Sequence, residues 1–440
     1  MLFFTRVALE YGGISRIRFG RNKYSYLVSE PALIRELLVD NASKYMKNVR
    51  YKHLRTILGE GLLLSEGATW KRQRKILRPA FRQVELLSQV AWSSKTIAGF
   101  LDRFETVAAD GTAIDIEPYF ARLSQLVAGT WLMGEPFRAR ADRIADIWEE
   151  ATATWPDPPR SALASYRVPS PRKVLTLKRC MSAFNRYIYE IIKIYEQSPV
   201  GENGLIPLLV EGHKRATGTA LSNQQLRDQL VTLFIAAHET SGSSLCWIHY
   251  FLSRYPEIRA RVQQEVDQQL QGNLPTDEDI PKLQYLKRVI NESLRIYSPI
   301  HSLSRLALED NTIGSYTIPK GATVTVSLFA THRLPKHWDN PEAFDPERFT
   351  KENSARRHPF AFIPFAAGHR NCIGTTFATI QSKLVISQIA QRFSIDLLPG
   401  HSVEPMPSTT MRPHNGMWVR IRKSEIADKQ LSAKKLVPPS

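Results

Sequence analysis

Cys372 lies in the segment Pro364-Phe365-Ala366-Ala367-Gly368-His369-Arg370-Asn371-Cys372-Ile373-Gly374, with a glycine on either side and a cation two residues away. A cysteine sulfur acts as nucleophile or metal ligand only as thiolate, which forms where N–H groups or positive charge surround it. Gly368 and Gly374 would let the backbone turn tightly on both sides. A helix is predicted to begin after Gly374, and its free N–H groups and positive dipole end would then face the sulfur. A lone cysteine is more often a small buried hydrophobe. These neighbours turn the reading towards a metal-bound thiolate, with Arg370 placed to meet a carboxylate.

Two further constellations could do chemistry. Ala236-Ala237-His238-Glu239-Thr240 puts an acid and an alcohol beside small residues on a predicted helix, where a positioned pair can move protons. Ser241 supplies a further hydroxyl. The plain alternative is a close helix contact with polar residues turned to water. Glu292-Ser293-Leu294-Arg295 places opposite charges three apart on one helical face, a spacing that by itself says almost nothing.

The cysteine segment resembles the haem-binding loop of the cytochromes P450, Phe-x-x-Gly-x-Arg-x-Cys-x-Gly. Phe365, Gly368, Arg370, Cys372 and Gly374 stand at its fixed positions. The resemblance implies Cys372 as axial iron ligand, a thiolate that donates electron density and favours O–O cleavage. It also implies Glu239 and Thr240 as the acid–alcohol pair of the oxygen-activation motif, with Ala237 standing where glycine is usual. Glu292 and Arg295 would then join Arg348, in Pro346-Glu347-Arg348-Phe349, in a structural ion network. Trp70, Arg74, Arg305 and Arg370 would bind the propionates of haem b (iron protoporphyrin IX), since guanidinium groups suit carboxylates. The likeness runs from about Tyr11 to Ile421. It is closer to the microsomal and bacterial fatty-acid-hydroxylase branch than to the camphor-type one.

These residues need a scaffold. A mainly α, single-domain cytochrome P450 fold is implied, with a long central helix, haem between helices and a small β-rich region. Ser222 with Gln225 forms a capping box, and apolar residues follow at Leu226, Leu230, Leu233, Phe234 and Ala237. The predicted helix stops before Pro256 and is about 50 Å long. A second helix is expected from about Leu283 to Ile296, and Glu30-Pro31 opens a short one. Strands are expected at Ile17–Phe19 and Tyr24–Val28, about Val324–Leu328, Phe393–Leu397 and Met417–Ile421. The stretch from Trp155 to Arg172 is irregular, and Leu334 to Pro364 reads as a long loop. Residues 1–423 are expected to form one haem domain and 424–440 a polar, disordered tail.

Composition limits the alternatives. The 440 residues are 43% hydrophobic and 23% charged, which is a globular balance. Three cysteines, far apart, exclude a disulfide framework and favour a reducing compartment, the cytoplasm, at most peripheral to a membrane. No apolar run approaches a bilayer span, so no transmembrane anchor is expected. The charge of +17 raises a nucleic-acid reading, but no zinc-finger spacing, RNA-recognition signature or basic arm supports it. His238-Glu239 starts like a zinc-protease helix, and Gly242 stands where the second histidine is needed. The basic run Lys71, Arg72, Arg74, Lys75, Arg78 and Arg82 instead suits an acidic redox partner (ferredoxin, flavodoxin or diflavin reductase). The expectation is a monomeric monooxygenase that inserts one oxygen atom from O2 into a lipophilic small molecule. Its rivals are peroxide-driven or rearranging chemistry, or ligand binding without turnover.

Overall fold

The computed structural model describes residues 1–20, 23–47, 55–154, 170–197 and 204–424. Arg21 and Asn22 of the first turn, most of the irregular stretch after Trp155, and the tail beyond Ser424 lie outside them.

The long helix runs Asn223–Arg254, 32 residues, and its start is the expected capping box. The Ser222 hydroxyl accepts from the Gln225 N–H at 3.2 Å, and Gln225 Oε1 accepts from the Ser222 N–H at 3.1 Å. It ends at Tyr255, which leaves the helical region with φ −126° and ψ 78°. The cause is Pro256, whose ring disfavours helical backbone in the residue before it. Pro256 then opens the helix Pro256–Leu270. Leu245, Cys246, Trp247 and Ile248 are consecutive and all buried, so the helix is enclosed on every side there and lies inside the molecule. It packs along the helix Glu117–Met133. At Gly242 an added β-carbon would come within 3.2 Å of the Ala121 Cα, so the absence of a side chain sets how closely the two helices approach.

The β-rich region is a five-stranded sheet ordered Ile14–Gly20, Lys23–Val28, Thr323–Ser327, Ser302–Ala307 and Tyr45–Lys47. Lys23–Val28 and Thr323–Ser327 run parallel, and the other neighbours are antiparallel. A second sheet joins Ala113–Asp115, Trp418–Lys423 and Phe393–Leu397. The hairpin strands Pro405–Pro407 and Met411–Pro413 pair antiparallel.

Two local expectations change, and one helix appears that was not expected from the sequence. The strand at Val324 stops at Ser327, whose hydroxyl accepts from the Ala330 N–H at 3.2 Å. That bond caps a helical turn starting at Leu328. The proline-rich segment before the cysteine loop holds short helices at Pro346–Phe349, Lys351–Arg356 and Pro359–Ala361. A helix, Leu2–Tyr11, precedes the first hairpin; only Val7 and Ala8 are buried, so it carries little periodic signal. No described helix is long and apolar enough to cross a membrane.

Candidate functional site

The cysteine loop is fixed by its own backbone. Ala366 N–H donates to Ile363 O at 2.9 Å, Asn371 N–H to Gly368 O at 3.1 Å, and Cys372 N–H to Phe365 O at 2.9 Å. Gly368 has φ +74°, and a β-carbon there would run into the Leu38 carbonyl oxygen. Glycine is therefore required twice over, for its backbone freedom and for the close approach. Gly374 differs from expectation. Its φ of −87° suits any residue. A β-carbon there would make only ordinary van der Waals contact, 3.8 Å from Cys372 Sγ and 3.9 Å from the Phe81 ring, so neither the backbone nor the described side chains require glycine at this position. The helix Thr375–Arg392 does begin at this point, and the Thr375 hydroxyl donates to Cys372 O at 3.1 Å.

Cys372 is exposed, yet its sulfur is largely stripped of hydration by the atoms packed around it. Burial pushes the thiol up from its ordinary value, against the Gly374 N–H, Arg74 and the Thr375 hydroxyl, which pull it down. The helix end therefore does not produce the thiolate unaided. A coordinated metal ion would, because its charge deprotonates a bound thiol. Among the described residues no three His, Cys, Asp or Glu side chains converge on a metal site.

Beside the loop lies an excess of positive charge. The Arg370 guanidinium stacks 4.1 Å from the Trp70 ring, donates to Ser65 O at 3.0 Å and pairs with Glu66. Arg305 lies opposite Lys47 in the sheet. Lys47 donates to Leu63 O, and its ammonium is lowered to about 7, first by burial and then by Arg370 and Arg305, with Glu66 opposing. Arg370 is lowered in the same way by burial, Arg305 and Arg74. Four cations therefore feel one another, with Glu66 opposing them. A dianionic group would relieve the repulsion, and the two propionates of haem fit that chemistry.

Of the residues singled out by sequence, Trp70, Arg305 and Arg370 meet here, and Phe365 is half-buried at the start of the loop. Arg74 is committed elsewhere, bonding Asn371 O at 3.0 Å and Asn371 Oδ1 at 2.7 Å, so it clasps the loop itself. Lys47 escaped the sequence reading because only strand register puts it beside Arg305.

On the long helix Ala236 is open and Ala237 half-buried. The Thr240 hydroxyl donates to Ala236 O at 2.8 Å. Glu239 and Thr240 reach different partners. Glu239 Oε1 accepts from Trp148 Nε1 at 3.0 Å, Oε2 pairs with Arg412, and His238 Nε2 lies 3.5 Å away. Burial alone would raise this carboxyl; His238, Arg412 and the Trp148 N–H outweigh it and keep it ionised. The Ser241 hydroxyl is buried without a partner among the described residues. His301, on the stretch leading into the five-stranded sheet, bonds the backbone of Ser408.

The ion network is buried. Arg295 meets both Glu292 oxygens at 2.7 Å and donates to the carbonyls of His332, Pro341 and Ala343; Arg348 Nε lies 3.3 Å from Glu292. His332, which the sequence did not flag, ties it to the cysteine loop. Its Nε2 accepts from the Ile363 N–H at 3.0 Å while Nδ1 donates to Arg295 O at 3.1 Å. Burial and Arg295 lower this imidazole to about 3, so it is neutral and can play both parts.

A family model described as Cytochrome P450 matches residues 1–420. The chain is 30% identical to the protein LUTEIN DEFICIENT 5, chloroplastic, of Arabidopsis thaliana, over 91% of this chain and 70% of that one. It is 28% identical to cyclooctat-9-en-7-ol 5-monooxygenase of Streptomyces melanosporofaciens, over 89% and 84%. The crystal structure of the cytochrome P450DA heme domain matches with a TM-score of 0.84 at 26% identity, covering 97% of this chain and 93% of that one. With fold, cysteine loop and a match across residues 1–420 in agreement, the chain belongs to the cytochrome P450 family, whose members bind haem iron and act as monooxygenases.

Proposed function

We propose that residues 1–423 form one haem b domain that oxygenates a lipophilic small molecule with O2 and electrons from a separate acidic redox protein. The observation that carries this reading is the pairing of a rigid, accessible Cys372 with the cation cluster beside its loop. Bound haem supplies the iron at which dioxygen is bound and reduced. Cys372 Sγ would hold the iron, and Arg305, Arg370 and Lys47 would hold the propionates. The small, exposed side chain of Ala236 leaves space beside the long helix for a bound substrate. The Thr240 hydroxyl, now bonded to Ala236 O, would hand protons into that space, with Glu239 one residue earlier as their source.

The redox partner is assigned to the helix Gly67–Leu77. Lys71, Arg72 and Lys75 are exposed on it, with Arg78 and Arg82 just beyond, and Arg74 of the same helix grips the cysteine loop. An acidic protein docking there is brought close to the sulfur side of the site, and added salt should slow its electron delivery steeply. Isoprenoids are the first substrates to screen. Relatives of this chain are named for oxidising carotene and cyclooctat-9-en-7-ol.

The test is the carbon monoxide difference spectrum of the dithionite-reduced protein. A strongly red-shifted Soret band, abolished in Cys372→Ser, is expected. A haem spectrum without that shift, or no haem uptake, would overturn the reading.

A further inference from the structure

Arg412, in the hairpin strand Met411–Pro413, serves two carboxylates. It pairs with Glu239 Oε2, and its Nε lies 3.7 Å from Glu117 Oε1 and 3.3 Å from Thr410 Oγ1. Glu117 opens the helix Glu117–Met133, and its own N–H is taken by Asp115 Oδ1 at 3.1 Å. Behind Glu239 lies His238, only 1% exposed. Its Nδ1 is bonded to Phe234 O, and its Nε2 has no hydrogen bond among the described residues. The thiol of Cys246 faces the same group from the long helix, and burial keeps it neutral. Glu117 and Glu239 thus share a single guanidinium, with Asp115 adding a further negative charge beside Glu117, whereas side chains this enclosed are normally matched charge for charge.

We propose that Arg412 is shared between Glu117 and Glu239, and that Glu117 is a positioning residue whose charge decides whether Glu239 can leave Arg412 to hand a proton to Thr240. This rests on the oxygenation reading above. While Glu117 is ionised, Arg412 keeps an anion when Glu239 departs. Glu239 then takes one proton from solvent water and passes it to Thr240 Oγ1, which releases its own proton towards the oxygen site. Glu239 returns to Arg412 as a carboxylate, so one proton enters and one leaves. When Glu117 is protonated, departure would strand a guanidinium that is largely enclosed, and Glu239 stays. The Glu117 carboxyl is pushed up to about 7, first by burial and then by Asp115 and Glu239, with Arg412 opposing, so the device works in the neutral range.

The test uses the haem-loaded protein and two readouts across pH 6 to 8. Infrared titration is expected to show a carboxylic-acid C=O band lost with a midpoint near pH 7 in wild type and absent in Glu117→Gln. The share of reducing equivalents ending in product rather than peroxide should climb through the same range. In Glu117→Gln it should stay flat and about tenfold lower, within what a positioned proton donor supplies; Glu117→Asp should restore the slope. A band that survives in Glu117→Gln, or a wild type that forms product with no slope through neutral pH, overturns the sharing of Arg412. A protein that binds haem but never oxygenates would sink the parent reading. The infrared titration would still decide whether Glu117 exchanges its proton beside Arg412.

Discussion

Glu135-Pro136-Phe137-Arg138 and Glu292-Ser293-Leu294-Arg295 have the same spacing and the same geometry: in each, the arginine meets both carboxylate oxygens at 2.7 Å. Their surroundings are opposite. The side chains of Glu135 and Arg138 are 63% and 53% exposed, and both members of the second pair are at 0%. The carboxyls respond in opposite directions. Arg138 lowers Glu135, whereas burial raises Glu292 in spite of Arg295 and Arg348. Ion-pair geometry therefore says little about a pair's weight. What counts is how many other groups depend on it and whether water can replace a lost partner.

The buried pair should be the costliest to break. Arg295→Ala leaves Glu292 without its bidentate partner and removes the donor from the carbonyls of His332, Pro341 and Ala343. A loss of about 3–5 kcal/mol is expected, a large part of a domain's total stability. It is read as a lower urea midpoint and a poor yield of haem-loaded protein. A variant unfolding at the wild-type urea concentration would mean that the surrounding carbonyls find water, and the contrast with Glu135–Arg138 would collapse.

Next in size is Gly368→Ala. It leaves the buried pair intact and strains the loop that His332 connects to it. The positive φ and the Leu38 carbonyl together should cost about 2–3 kcal/mol. Thermal unfolding of the carbon monoxide complex would measure it. Ala366 shows that the loop tolerates a non-glycine residue at φ +58°, so a null result at position 368 would mean that Leu38 moves aside.

The two Glu-x-x-Arg pairs also mark where sequence reasoning stops. Nothing in their spacing separates the buried pair from the surface one; the resemblance did that, by linking Glu292 to Arg348. The cysteine loop was legible because its constraints are local, a turn and a helix start within eleven residues. The long helix was legible from its cap and its proline stop. Lys47, His332 and Arg412 were not, because each acquires its role from a partner brought close only by the fold. Lys47 meets Arg305 across a sheet, and Arg412 meets Glu239 173 residues away. The resemblance pairs Glu239 with Thr240, but successive helical residues point about 100° apart, so the partner that holds Glu239 at rest could not be read from the motif. Its carboxylate went to Trp148 and Arg412.

Glu117 falls between the two pairs, at 23% exposure with a share of one arginine. Its carboxyl stands near 7 in the folded protein against an ordinary 4.5, so folding takes up a proton between those values. Its contribution to stability is complete below about 4.5 and is lost as pH rises to about 7. Glu117→Gln should remove that fall and be the more stable protein at pH 8, by on the order of 1–2 kcal/mol. Urea midpoints of both proteins at pH 5 and pH 8 would show it. Equal differences at the two pH values would mean that Arg412 already compensates Glu117 fully.

Arg138→Ala supplies the baseline. Losing an exposed pair, even one with ideal bidentate geometry, should change stability by no more than about 0.5 kcal/mol, because water takes up both charges. The lowered Glu135 carboxyl favours folding above the ordinary carboxylate range and loses that on acidification, the reverse of Glu117. Screening should leave this too small to separate from the noise of a urea melt. A loss above about 1 kcal/mol would therefore point away from the ion pair and to the stem of Arg138 packing on its neighbours. An Arg138→Met variant would then recover most of it, and the contrast with Arg295 would rest on buried apolar contact as well as on unmatched charge.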